Sequence, residues 1–137
     1  MAGYSGTPLV KKLGLKPGMR TYILDQPHLK APYKVPAGVK RVRRATRSDP
    51  IEFIHVFCKQ RDELEKMVAL LSLFLAPAEM LWVSWPKGAS KLPTELSENA
   101  VRESGLKAGL VDVKVCAIDD VWSGLKFVIR VKDRPRT

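Results

Sequence analysis

Apolar and polar positions along the chain fall into a few short, distinct patterns. Ile51-Glu52-Phe53-Ile54-His55-Val56-Phe57 is apolar almost throughout, as expected of a strand covered on both faces. From Arg61 to Ala76 the residues Leu64, Met67, Val68, Leu71, Phe74 and Leu75 recur at helical spacing. Asp62, Glu63 and Glu65 crowd the start of that stretch, where a helix dipole favours acidic groups. Pro77 is expected to end the helix, and Met80-Leu81-Trp82-Val83-Ser84-Trp85 predicts a second strand, stopped by Pro86. Strand, helix and strand at this length make a βαβ crossover, which commits the chain to a parallel sheet.

The flanks extend the pattern. Thr7-Pro8-Leu9-Val10-Lys11-Lys12-Leu13-Gly14 predicts a short helix, with Thr7 as N-cap, Pro8 at the first helical position and Gly14 just past the end. Met19 to Asp25 predicts a strand after the turn Lys16-Pro17-Gly18. Residues 26–38 carry Pro27, Pro32 and Pro36, so any helix there is a turn or two at most. Val39 to Arg44 reads as a basic strand. Further on, Thr94 caps a helix to about residue 107 with Leu96, Ala100 and Val101 facing inward, and Gly109 closes it. Val113 to Ile118 and Leu125 to Val131 then form a hairpin. The expected architecture is one α/β domain over residues 1–137, with about six strands, mostly parallel, helices on both faces and a C-terminal antiparallel hairpin. Residues 1–18 form its N-terminal capped helix and turn, and 132–137 a frayed tail.

Composition changes this picture little. A chain of 137 residues with 45% hydrophobic residues is ordinary for a globular domain. No apolar run approaches a membrane span, the first twenty residues hold no signal-peptide core, and Ala2 is not a myristoylated glycine. The expected location is the cytoplasm, with no membrane contact. Cys58 and Cys116 form no CxxC and have no paired histidines nearby, so they are expected to be reduced, structural thiols without a metal. Charge is more informative. A net charge of +10 favours an anionic partner, whether nucleic acid, a nucleotide or an acidic protein.

Candidate chemistry concentrates in two stretches. Lys30, Lys34, Lys40, Arg41, Arg43, Arg44 and Arg47 occur without an intervening acidic residue. Of these, Lys40, Arg41, Arg43, Arg44 and Arg47 form a candidate phosphate-binding strip, the competing reading being an edge strand charged against aggregation. Only Tyr33 is available for base stacking there. In the second stretch, Ser84-Trp85-Pro86-Lys87-Gly88-Ala89-Ser90-Lys91 leaves the carboxyl end of a predicted strand, where open α/β sheets bind ligands. Lys87 and Lys91 offer charge to an anion and Trp85 a ring face, against the alternative that the tryptophan packs and the lysines are solvated. Ser84 has no glycine-flanked elbow and no evident His partner, which argues against a hydrolase triad. His55 reads as a satisfied core histidine, and Asp119-Asp120 as turn residues. A phosphate-binding βα loop would place glycines directly after Met19–Asp25, yet Gln26-Pro27-His28 follow, and no glycine appears before Gly38.

Element order over residues 19–131 resembles the Rossmann-like fold of the S-adenosylmethionine-dependent methyltransferases, implying a three-layer sandwich. Ser5-Gly6-Thr7-Pro8-Leu9, Lys11-Lys12-Leu13-Gly14, Leu81 to Lys87 and Trp122-Ser123-Gly124-Leu125 resemble an uncharacterised bacterial group, domain-of-unknown-function family 3052, over nearly the whole chain. The methyltransferase resemblance implies a glycine loop after the first strand and an acidic residue ending the second. Here Gln26-Pro27-His28 and Arg44-Ala45 stand at those places, with Asp25 the one carboxylate near the first. The short link to Ile51 implies a sheet trimmed of one strand and its helix. The expectation is therefore a non-catalytic binding or regulatory protein, without catalytic residues or a resident cofactor, using a basic surface. The alternatives are a methyltransferase holding S-adenosylmethionine in a degenerate site built from Asp25, Ser84, Trp85, Lys87, Ser90 and Lys91, and a nucleic-acid-binding protein.

Overall fold

A computed structural model describes residues 8–27, 29, 33–44, 46, 48–88 and 93–134. Six strands form one sheet: β1 (Arg20–Leu24), β2 (Lys40–Arg41), β3 (Ile51–Phe57), β4 (Leu75–Pro86), β5 (Leu110–Ala117) and β6 (Trp122–Ile129). Their spatial order is β2-β1-β3-β4-β6-β5. The β2/β1, β1/β3 and β3/β4 pairs are parallel, and β6 runs antiparallel to both β4 and β5. The mostly parallel sheet and its C-terminal hairpin are as the sequence predicts.

Side-chain alternation divides the core between the two faces. Ile54 and Val56 of β3 pack with Leu81, Val83 and Trp85 of β4 under helices α2 (Arg61–Leu71) and α3 (Glu98–Lys107). Phe53 and Phe57 point the other way, with Met80, Trp82 and Trp122, under helix α1 (Leu9–Leu13) and the coil around Tyr33 and Val35. The Trp82 indole N–H donates to the Leu13 carbonyl at 2.9 Å, which pins the end of α1 to the sheet. Gly14 follows in the left-handed conformation, φ 86°, as its expected place past the helix requires. Thr7 lies outside the described residues, and Pro8 occupies the capping position one residue ahead of the first helical turn.

The hairpin strands each start three residues before the expected Val113 and Leu125, at Leu110 and Trp122, and end at Ala117 and Ile129. Four other boundaries differ from the sequence reading, each for a local reason. Helix α2 stops at Leu71 instead of Ala76. The Ser72 hydroxyl donates to the Ala69 carbonyl, and Ser72–Phe74 tighten into a 3₁₀ turn. Strand β4 then starts at Leu75, which pairs with Ile51, and it absorbs Pro77 in an irregularity before Met80 pairs with Phe53. The basic strand contracts to Lys40–Arg41. As an edge strand it has only β1 to pair with, and the chain bends away at Arg43 and Arg44, after the Val42 amide reaches the Thr21 carbonyl. The cap of α3 is Ser97, whose hydroxyl accepts from the Ala100 amide at 3.2 Å. Thr94 makes a turn of its own, three residues earlier.

Candidate functional site at the switch point of the sheet

The place where strand order reverses lies between β1 and β3. The chain leaves β1 across the α1 face to reach β2, and leaves β3 through α2 on the other face to reach β4. The crevice outside the carboxyl ends of two such strands is where this class of sheet binds ligands.

On the β1 side stands Asp25, in the left-handed conformation at φ 59°. A short polar residue tolerates that backbone better than most, and glycine best. Among the described residues between it and β2, none is helical. The β3 side is occupied by protein. The Lys59 carbonyl accepts from the Thr94 hydroxyl at 2.8 Å and the Glu95 amide at 3.0 Å. The Glu95 carboxylate in turn accepts from the Arg61 amide at 3.1 Å, the first of α2. That carboxylate uses the charge preference of a helix N-terminus that a ligand anion would otherwise use. Cys58 is buried beneath, near the Glu63 carboxylate. Burial first, then the Glu63 and Asp25 carboxylates, push the thiol up to about 12, which leaves it protonated and a poor nucleophile at neutral pH.

At the end of β4, Trp85 packs in the core on the helical face with Leu96 and Val101. Lys87 is held at the hairpin: its amide donates to the Val121 carbonyl at 2.7 Å and its ammonium to the Asp119 carbonyl at 2.8 Å. Asp119 accepts from the amides of Val121 and Trp122, the turn role its sequence suggests. Ser90 and Lys91 lie outside the described residues.

Ser84 has a partner that the sequence reading did not find. Its hydroxyl lies 2.7 Å from His55 Nε2, and His55 Nδ1 lies 3.0 Å from the Tyr33 hydroxyl. A neutral imidazole donates at one nitrogen and accepts at the other, so the three side chains form a single directed chain of hydrogen bonds. His55 and Ser84 are completely buried. Desolvation lowers the imidazole to about 3 and pushes the Tyr33 phenol upward against the pull of Arg41. An imidazole that resists protonation this strongly is a poor general base, and no substrate reaches the serine. His55 is thus a satisfied core histidine, and this chain fixes the α1 side of the sheet. Strand parity was the available signal: His55 shares a face with Phe53 and Phe57, Ser84 with Trp82, and β3 and β4 are neighbours.

The basic candidates are brought to one edge. Lys40 and Arg41 form β2 and are exposed, as are Arg43 and Arg44 beyond it, while Arg47 lies outside the described residues. Asp25 and Lys87 share the carboxyl edge of the sheet but stand two strands apart, about 10 Å in strand spacing. Ser84 and Trp85 point to opposite faces of β4. No group of three His, Cys, Asp or Glu side chains among the described residues is arranged to hold a metal.

Solved structures supply the comparison. A variant of LepI in complex with S-adenosylhomocysteine and a substrate analogue superposes with a TM-score of 0.55 at 11% identity, covering 90% of this chain and 47% of that one. Magnesium protoporphyrin IX methyltransferase from Synechocystis PCC 6803, with bound S-adenosylhomocysteine, gives 0.55 at 12% identity over 88% of this chain and 78% of that one. The fold is methyltransferase-like. Fibrillarin from Aeropyrum pernix, in complex with S-adenosylmethionine, gives 0.53 at 12% identity over 92% and 70%. The chain spans about half the length of the LepI structures it matches. No family model matches it, and no curated protein does. At these identities the shared property of the methyltransferase-like fold is its architecture.

Proposed function

We propose that the chain is a non-catalytic binding or regulatory protein, a methyltransferase-like fold whose switch-point crevice no longer takes S-adenosylmethionine and whose basic surface meets an anionic partner. The observation that carries this reading is the state of the crevice. On one side Asp25 and Gln26-Pro27 stand where a glycine loop leading into a helix would cradle the cofactor; on the other, Thr94 and Glu95 occupy the Lys59 carbonyl and the first amide of α2. At the end of β2, where a carboxylate would hold ribose hydroxyls, Arg43 and Arg44 follow. These residues do not fit the cofactor, and no reaction step is assigned to it. The free thiols Cys58 and Cys116 agree with a cytoplasmic setting. Kinship with domain-of-unknown-function family 3052 is part of the proposal and rests on the sequence stretches alone.

The test is thermal unfolding with and without about 1 mM S-adenosylhomocysteine. A ligand bound at about 10 μM would add about 2.7 kcal/mol, a rise of several degrees. The proposal expects no change; such a rise would overturn it. It would favour the second reading, a methyltransferase with a degenerate site including Asp25 and the 84–91 stretch. That reading draws its support from three structural neighbours, each described with S-adenosylmethionine or S-adenosylhomocysteine.

A further inference from the structure

The charge of the chain is unevenly placed. Residues 1–48 contain eleven of the 24 lysines and arginines and a single acidic residue, Asp25, while residues 49–137 hold thirteen of each sign. The whole of the +10 therefore belongs to the segment that supplies α1, β1 and β2. That segment covers one face of the sheet and one of its edges. Lys11 and Lys12 ride on α1, which Trp82 anchors over β4, and the Lys114 ammonium of β5 donates to the Lys12 carbonyl at 3.3 Å. Lys16 opens the next turn, and the Gly18 amide donates to the Gly38 carbonyl at 2.9 Å, joining that turn to the entry of β2. Lys34 lies in the coil between, and Lys40, Arg41, Arg43 and Arg44 finish the strip at the sheet edge. Lys11, Lys16, Lys34, Lys40, Arg41, Arg43 and Arg44 are all exposed. From α1 over β4 to β2 the strip crosses four strands, about 14 Å.

Deepening the proposed anionic partner, and resting on that reading, we propose that this face docks the phosphate backbone of duplex nucleic acid without reading its sequence. Three properties of the strip select that occupant. A length of about 14 Å matches the phosphates of about four base pairs. The exposed large apolar residues among those described are Leu70, Leu73, Leu106, Val113, Val115 and Val131, all outside the segment that carries the strip. A protein partner would find no apolar centre among these lysines, and a membrane no side chain to insert. Among the described residues, Tyr33 is committed to His55 and Tyr22 of β1 packs against the core of the helical face, so neither offers single-stranded bases a stacking platform. Among the described residues no helix of the strip is long enough to enter a major groove, and contacts to phosphate alone carry no sequence information.

The experiment is fluorescence anisotropy of the full chain with labelled duplexes of about 25 base pairs and two unrelated sequences, between about 50 and 200 mM salt. The inference expects equal affinity for both, and a slope of log affinity against log salt between about −3.5 and −5.5, for four to six phosphate contacts. Combining Lys40→Ala, Arg41→Ala, Arg43→Ala and Arg44→Ala should weaken binding at least about tenfold and make the slope shallower. Combining Lys11→Ala, Lys12→Ala and Lys16→Ala should act in the same direction, with circular dichroism confirming that each variant folds. Lys66→Ala with Lys107→Ala, on the helical face, should change little. Absence of binding at low salt, a flat salt response, an equal loss in the Lys66/Lys107 variant, or preference for phosphatidylglycerol vesicles over duplex would overturn the inference. None of these outcomes bears on the cofactor crevice, which the thermal shift tests separately.

Discussion

His55 shows what one residue contributes when its surroundings decide its chemistry. Packed between Tyr33 and Phe57 and hydrogen-bonded at both nitrogens, it stays neutral in the folded chain down to about pH 3, whereas an unfolded histidine titrates near 6.5. Between those values the unfolded state binds a proton that the folded state refuses. The stabilising contribution is therefore complete above about pH 6.5 and is lost as pH falls, by up to about 1.4 kcal/mol per pH unit. Urea unfolding of the wild type and His55→Gln at a series of pH values should show that slope in the wild type and its loss in the variant. Ser84→Ala leaves one imidazole nitrogen buried without a partner, and should cost about 1–3 kcal/mol by the same measurement. Of these residues the sequence identified the buried histidine, because it interrupts an apolar strand. The partners escaped because they are 22 and 29 residues away and meet it only through strand pairing and the covering coil.

At the scale of elements, the two strands of the crossover and the hairpin were legible because burial on both faces, or clean alternation, leaves an unambiguous pattern. Where two short-range signals competed, the reading slipped. Thr94 and Ser97 both stand before a helical run, and only the position of the first paired amide separates them. Ser97→Ala should lower stability by about 1 kcal/mol through loss of the α3 cap. Thr94→Ala should instead loosen the 94–96 segment against Lys59 without shortening α3, which amide exchange in residues 98–101 would distinguish. Gly105 is a related case. A glycine inside α3 weakens the helix locally, and its reason appears only in three dimensions: an added Cβ would lie 2.0 Å from Phe127 Cε1 of β6. Gly105→Ala, favourable by helix propensity, is therefore expected to destabilise by at least about 1–3 kcal/mol in denaturant unfolding, because helix and sheet cannot separate without opening the core. Gly124 has a similar role beside Trp82 and Ser84, where a Cβ would approach both at 3.2 Å.

For the whole molecule, sheet order and charge placement carry the functional argument. The parallel core followed from the crossover, and the trimmed edge from the short link before Ile51: β2 is two residues long, and the chain passes from it to β3 without an intervening helix among the described residues. The contact of Glu95 with the start of α2 was not legible, since it spans 34 positions of sequence. The missing glycines after β1 were visible, but Asp25 and the 94–96 segment acquire meaning only once the strands are in order. The proposed function has this methyltransferase-like sheet without a working cofactor crevice. Calorimetric titration of the purified chain with S-adenosylmethionine and S-adenosylhomocysteine tests it most directly. A sheet without the crevice gives no binding heat up to millimolar ligand; saturable one-to-one binding in the micromolar range would overturn the proposal.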